Sequence, residues 1–233
     1  MSLDSLRKNL KSHASQKKAK VLQHFFKTAL GEYGEGDIFL GVIVPQSRVI
    51  AKKYKNLALS DIKKLLHSKI HEERLIALLI LVHNFQKSSK QGKKKIYEFY
   101  LKNTKYINNW DLVDLSAAKI VGAYLFENKK GVSVLKKLAK SKNIWERRIA
   151  VLSTFYFINN GEYSESLEIS KILLKDEHDL IHKAVGWMLR EIGKKSLKTE
   201  EEFLKKNYRL IPRTMLRYAI ERFPEKKKQA YLK

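Results

Sequence analysis

Glu73-Arg74-Leu75-Ile76-Ala77 is the first of five short stretches that decide the fold. The others are Trp110-Asp111-Leu112-Val113-Asp114, Glu146-Arg147-Arg148-Ile149-Ala150, Ile181-His182-Lys183-Ala184 and Leu216-Arg217-Tyr218-Ala219. Their last residues follow one another at steps of 37, 36, 34 and 35. Each stretch carries helical periodicity. Leu75, Leu78, Leu79 and Val82 recur at i, i+3, i+4 and i+7, and Ile149, Leu152, Ser153 and Tyr156 do the same. Lys-rich stretches over about 90–103, 131–140, 163–174 and 196–206 read as second helices between them. A helix–turn–helix unit repeated some five times predicts an all-α protein, an α-solenoid of HEAT-like helical repeats. The period lies between tetratricopeptide and HEAT lengths, and the tetratricopeptide consensus is absent.

Outward from these stretches, residues 1–44 read as an N-terminal helical cap and loop, with three glycines between Gly31 and Gly36. The β-branched run Gly41-Val-Ile-Val-Pro45 is an extended link into a helix starting at Pro45. Residues 45–233 hold the repeated helix pairs, and 1–233 is expected to be a single domain. Asn159-Asn160-Gly161 and the segment from Asn128 to Gly131 supply turns.

Hydrophobic residues make up 44% of the 233, which excludes a disordered chain, and Pro is at only 3, which fits helices better than a turn-rich sandwich. There is no cysteine, so disulfides, zinc-thiolate sites and thiol catalysis are excluded. The N-terminus has no apolar signal core, and the longest apolar run, Leu75 to Val82, is far short of a membrane span. A cytoplasmic protein with no membrane partner is expected. Lys+Arg number 48 against 24 Asp+Glu, a formal charge of +24. Such a surface attracts polyanions, and nucleic acid is the commonest large one in a cell.

Against that charge, Trp110 and Asp114 are out of character. Residues at i and i+4 share one helix face, so an indole and a carboxylate point into the same cleft. A carboxylate facing a phosphate backbone is repelled unless it has a cation to meet, which points to chemistry on a positively charged target in nucleic acid. Stacked repeats bring equivalent positions side by side, so Trp110, Asp114, Arg148 and Trp187 are expected to converge. Arg213 and Arg217 extend a basic lining with Arg147, Lys183 and Arg190. Blander readings stand beside these. Trp187 next to Gly186 fits packing on the next helix, Trp145 fits the core, Arg148 fits an ion pair with Glu146 or Asp114, and Asp114 fits a structural pair. Asp111 is the better N-terminal helix residue of the two aspartates. The histidines, His71 among them, show no metal-ligand spacing, and no phosphate-binding glycine loop is present, so no metal or cofactor is expected.

Together the residues resemble the AlkD-type alkylpurine-DNA glycosylases, the HEAT-like-repeat DNA alkylation repair family. The matching stretches are Phe39-Leu-Gly-Val-Ile-Val-Pro45, Asn109-Trp-Asp-Leu-Val-Asp114, Asn143-Ile-Trp-Glu-Arg-Arg148-Ile-Ala, Lys183-Ala-Val-Gly-Trp-Met-Leu-Arg-Glu191 and Arg213-Thr-Met-Leu-Arg-Tyr-Ala-Ile-Glu221. The resemblance implies a cofactor-free, monofunctional N-glycosyl hydrolase that opens base excision repair. It also implies a catalytic cleft of Trp110, Asp114, Arg148 and Trp187, and a lesion left in the base stack. Its partner is double-stranded DNA containing alkylated purines, bound by a monomer. Two departures are visible. Asn109 stands where some relatives have a second tryptophan, and the N-terminal aromatic of the cleft falls on Phe25 or Phe26 without a safe alignment. A non-catalytic helical-repeat protein that binds DNA structures is the alternative, with a protein-binding adaptor behind it.

Overall fold

The computed structural model describes residues 1–232, apart from the Lys130 side chain. Among the described residues the protein is helical, with one isolated parallel bridge between Ile38 and Ile70 and no further β-structure. The chain divides into two compact units, Met1–Ser116 and Ala117–Lys233.

The first unit begins with α1, Leu3–Lys11, capped by Ser2 in a capping box with Ser5. Leu3, Leu6 and Leu10 form its buried stripe, and the Tyr54 hydroxyl donates to the Ser5 carbonyl at 2.9 Å. Helix α2, Gln16–Phe25, buries only Ala19. Helices α3 (Val44–Lys53), α4 (Leu59–Leu66), α5 (His71–Lys87) and α6 (Lys90–Lys102) follow, then α7 (Trp110–Ala117). Pro45 sits in the first turn of α3, where its missing N–H costs nothing. Helix α5 is buried nearly all round from His71 to Phe85, with Leu79, His83 and Asn84 half-buried, and α3, α4 and α6 pack against it. That all-round burial identifies it as the unit's central helix.

The second unit passes from a π-helical turn, Ala118–Gly122, into α8, Ala123–Glu127. Helices α9 (Ser133–Ala139), α10 (Ile144–Asn159), α11 (Ser164–Ile172) and α12 (Asp179–Lys195) come next. Last are α13 (Leu197–Asn207), α14 (Arg213–Ala219) and α15 (Glu225–Leu232). Helix α10 packs on α9, α11 and α12, and α12 packs on α13 and α14. The five stretches aligned in the sequence fall on α5, α7, α10, α12 and α14, and the Lys-rich second helices are α6, α9, α11 and α13. The two-residue trimming at the ends of α9 and α11 is ordinary helix fraying.

Candidate active site

Helix α7 starts at Trp110, and Asn109 stands at its N-cap position, its backbone carbonyl accepting the Val113 N–H at 3.2 Å. Asn109 Oδ1 accepts the Trp110 backbone N–H at 2.8 Å, while its Nδ2 donates to Asp37 at 3.3 Å. The Trp110 ring stacks on Phe26, centroids 5.0 Å apart and planes 22° apart. Phe25 meets the indole edge-on at 5.8 Å, and Trp110 Nε1 donates to the Tyr33 hydroxyl at 3.3 Å. The indole is therefore held on one face and at its N–H, yet only half-buried. Phe25 beside it is 59% exposed.

Asp114, one turn further along, is also half-buried. Its charge reaches Tyr100 on α6. Burial pushes the Tyr100 phenol up, the Ser116 hydrogen bond at 2.9 Å opposes this, and the Asp114 carboxylate adds to the rise.

Beneath Trp110 lies a buried charge cluster. His71, the first residue of α5, donates through Nδ1 to Asp37 at 3.0 Å and through Nε2 to Asp111 at 2.8 Å. Arg74 pairs with the other Asp37 oxygen at 2.6 Å and donates to the Ser68 carbonyl at 2.9 Å. Burial works against a charge on His71. The Asp111 charge and hydrogen bond, with the bond to Asp37, outweigh it and Arg74, and raise the imidazole above its ordinary value. The His71 ring stacks on Phe39 at 4.4 Å and lies tilted by 35° to Phe26 at 5.1 Å. Next to it, the buried Glu72 carboxylate accepts the backbone N–H groups of Leu40, Gly41 and Val42. Gly41 is needed there. Its φ is +82°, and a Cβ would collide with the Ser15 carbonyl and lie 2.6 Å from the Ala19 nitrogen. Glu73 takes a two-pronged pair from Arg7, both contacts at 3.0 Å.

In the second unit, Arg148 and Trp187 stand on the neighbouring helices α10 and α12. Arg148 is 5% exposed, and its Nη1 donates to the Leu180 carbonyl at 2.6 Å, fastening the first turn of α12. The Arg148 side chain is thus buried rather than on the surface. Trp187 is half-buried, 5.8 Å from Phe155, and donates through Nε1 to Glu191 at 3.0 Å. Gly186 beside it lets α14 approach, since a methyl group there would collide with the Met215 carbonyl and lie 2.5 Å from Tyr218 Cβ.

The basic residues separate by what holds them. Arg147 is committed to Asp176 at 2.6 Å and to the Ser141 and Lys142 carbonyls. Arg190 pairs with Glu221 and lies 3.8 Å from Glu191. Lys183 pairs with Asp179 at 2.6 Å but stays 40% exposed along its side chain. Arg213 is exposed and donates to the Leu232 carbonyl at 2.9 Å. Arg217 is exposed, with no ion pair or side-chain hydrogen bond among the described residues. Trp110 and Asp114 thus share α7 in one unit, while Arg148 and Trp187 share a helix pair in the other.

Sequence periodicity misses Tyr33, the Phe26–Phe39 stack and the His71 cluster. The available signal is Glu72-Glu73-Arg74, charges that occupy successive faces of a helix whose remainder is apolar all round. Among the described residues no group of three or more His, Asp or Glu is arranged to hold a metal ion. No helix of the described residues is long and apolar enough to cross a membrane.

Repeated helix pairs define a helical-repeat protein, with an indole and a carboxylate on one short helix. The model of the DNA alkylation repair enzyme family matches residues 6–223, and the chain belongs to that family. Solved structures share its fold. One is a predicted DNA alkylation repair enzyme from Enterococcus faecalis, TM-score 0.71 at 16% identity, covering 91% of this chain and 98% of its own. AlkD2 from Streptococcus mutans gives 0.55 at 20% identity, covering 90% and 99%. The smu.31 protein of Streptococcus mutans UA159 gives 0.55 at 22%, covering 78% and 93%. At these identities the likeness speaks for the fold alone. A comparison with curated proteins finds no significant match.

Proposed function

We propose that the protein is a DNA glycosylase that hydrolyses the N-glycosidic bond of cationic N3- or N7-alkylated purines in duplex DNA. The observation that carries this reading is the pairing of the half-buried Trp110 indole with the Asp114 carboxylate one turn along α7, on a chain of charge +24. Alkylation at N3 or N7 leaves the purine positive, and the base departs neutral with the bonding electron pair. No general acid is required. Positive charge moves to the sugar in an oxocarbenium-like transition state, water adds at C1′, and its proton passes to solvent. A fixed carboxylate stabilises that charge, the inverse of an oxyanion hole. At about 4 Å and an effective dielectric of about 20, the attraction is roughly 4 kcal/mol, on the order of 10³-fold in rate.

The Trp110 indole offers a π face to the cationic nucleotide, contributing about 0.5–2 kcal/mol. Arg148 acts by holding the first turn of α12, and Arg213 and Arg217 are the exposed members of the basic lining, placed to meet phosphates. The rest of the lysine surface supplies duplex affinity without regard to sequence, falling steeply with salt. The reading includes a cytoplasmic monomer that leaves the lesion in the base stack.

The test is release of free 7-methylguanine and 3-methyladenine from N-methylated duplex DNA, followed by chromatography. Wild type is expected to release both, and Asp114→Asn to slow release about 10³-fold with duplex affinity retained. If wild type binds DNA but releases base no faster than the spontaneous rate, the protein is a DNA-structure binder instead.

A further inference from the structure

We propose that the Asp37–His71–Asp111 cluster is the positioning device of the candidate active site, setting the Trp110 indole and the first turn of α7. The proposal rests on the glycosylase reading for its kinetic consequence and on geometry for the rest.

Two adjacent residues of α7 are tied to one imidazole by different routes. Asp111 is bound directly, its Oδ2 accepting from His71 Nε2 at 2.8 Å while Oδ1 takes the Leu112 N–H at 2.8 Å. Trp110 is bound through rings. It stacks on Phe26, Phe26 stacks on Phe39 at 5.0 Å, and both phenylalanines lie against His71. Asp37 closes the far side, accepting from His71 Nδ1 at 3.0 Å and from Asn109, the residue that caps α7. The first turn of α7 is therefore fixed at residues 109, 110 and 111 from a single centre.

Three carboxylates and two basic side chains face that centre. Asp37 and Asp111 carry two negative charges, His71 and Arg74 two positive, and Glu72 is satisfied by three backbone N–H groups. A neutral aliphatic core would bury as much apolar area with less desolvation cost. What it would not supply is direction. Two hydrogen bonds at opposite nitrogens lock the rotation of the imidazole, Phe39 stacks on it, and the stack passes from Phe39 through Phe26 to Trp110. Asp114 follows by helix geometry, since its bearing is set by the turn that precedes it.

Three tryptophans in the chain make the test direct. Full-length protein labelled with 5-fluorotryptophan gives three fluorine resonances, with Trp110 assigned through Trp110→Phe and Trp145 and Trp187 as internal references. His71→Gln keeps a donor but loses the ring and the charge. Asp111→Asn keeps shape and loses only charge. The Trp110 resonance is expected to shift or broaden in both while the other two stay. Single-turnover excision is expected to slow by about 10–100-fold in His71→Gln and by less in Asp111→Asn, with duplex affinity within about twofold.

A folded variant with an unmoved Trp110 resonance and an unchanged rate overturns the proposal. A rate that falls only in step with the unfolded fraction, measured by thermal melting, also overturns it by reducing the cluster to a stabilising role. If His71→Gln does not fold, Asp111→Asn decides by the same two readouts. Wild type that releases no base sinks the glycosylase reading instead, and the fluorine resonance alone then decides the positioning.

Discussion

Trp110 and Trp187 are both half-buried indoles whose N–H groups have acceptors, and the protein holds them by opposite means. Trp110 lies on a stack of rings over a buried imidazole with carboxylates at both nitrogens. Trp187 rides on a helix brought against α14 by a glycine contact, with Glu191 as its polar partner. The first is positioned by hydrogen-bond direction, the second by how closely two backbones approach. Polar networks fix orientation, whereas close packing fixes separation. Loss of a network member should therefore appear in rate beyond any loss of stability, and loss of a packing contact in stability alone.

Gly186→Ala gives the largest stability effect of that kind. The added methyl would meet the Met215 carbonyl and Tyr218 Cβ, neither of them the flexible end of a side chain, so α12 and α14 must move apart. Overpacking of this sort costs about 3 kcal/mol, or roughly 6–12 °C in a chain of this size. Differential scanning calorimetry checks it. A melting temperature within about 2 °C of wild type would mean that the contact yields, and the contrast between the two indoles would lose its second half.

Buried acids divide the units in the same way. In the first unit burial would raise Asp37, but the His71 hydrogen bond, the Arg74 and His71 charges and Asn109 hold it below its ordinary 3.8. Stability from Asp37 is thus present above that value and lost as pH falls through the lower folded one. His71 is raised above 6.5, so its contribution is present below 6.5 and lost as pH rises through the folded value. In the second unit Glu200 is buried with its Oε1 lacking a hydrogen bond among the described residues. Burial pushes it up to about 8, Glu201 adds to the rise and Arg190 opposes it. Its contribution is present below its ordinary 4.5 and drains away as pH rises to about 8. Glu200→Gln should match wild type near pH 4.5 and exceed it by about 2 kcal/mol near pH 8, allowing for relaxation around the charged form. Urea unfolding across that range reads the difference. A gap that does not grow with pH would show that Glu200 is paired after all.

These contrasts also explain what the chain discloses in advance. Apolar spacing and the recurrent slot at Ala77, Asp114, Ala150, Ala184 and Ala219 place α5, α7, α10, α12 and α14, because helices of a repeat bury one face at a fixed period. Gly186 beside Trp187 is legible for the same reason, since a small residue next to a large one marks close packing. The support of Trp110 is not legible that way. His71, Glu72, Glu73 and Arg74 look like a solvated first turn, and their partners Asp37 and Asp111 are 34 and 40 residues from His71. Asn109 reads as a missing tryptophan when set against relatives. In the structure it is a buried cap that ties Trp110 to Asp37. Periodicity reports which face is buried, and it carries no information on which polar groups are buried with it.

The smallest expected effect gives the sharpest comparison. Glu191→Ala removes the acceptor of the Trp187 N–H and the partner of Lys194, which lies 2.6 Å away. Trp187 is half-buried, so water can take the vacated acceptor position, and the Lys194 pair is exposed enough to be worth little. The expected cost is below about 1 kcal/mol in stability and about fivefold in single-turnover excision. The same assay on His71→Gln is expected to show the larger loss, although His71 touches Trp110 only through other rings. Equal losses would mean that both indoles depend on their polar partners alike. The distinction would then lie only in the chemistry of the partners, an imidazole on one side and a carboxylate on the other.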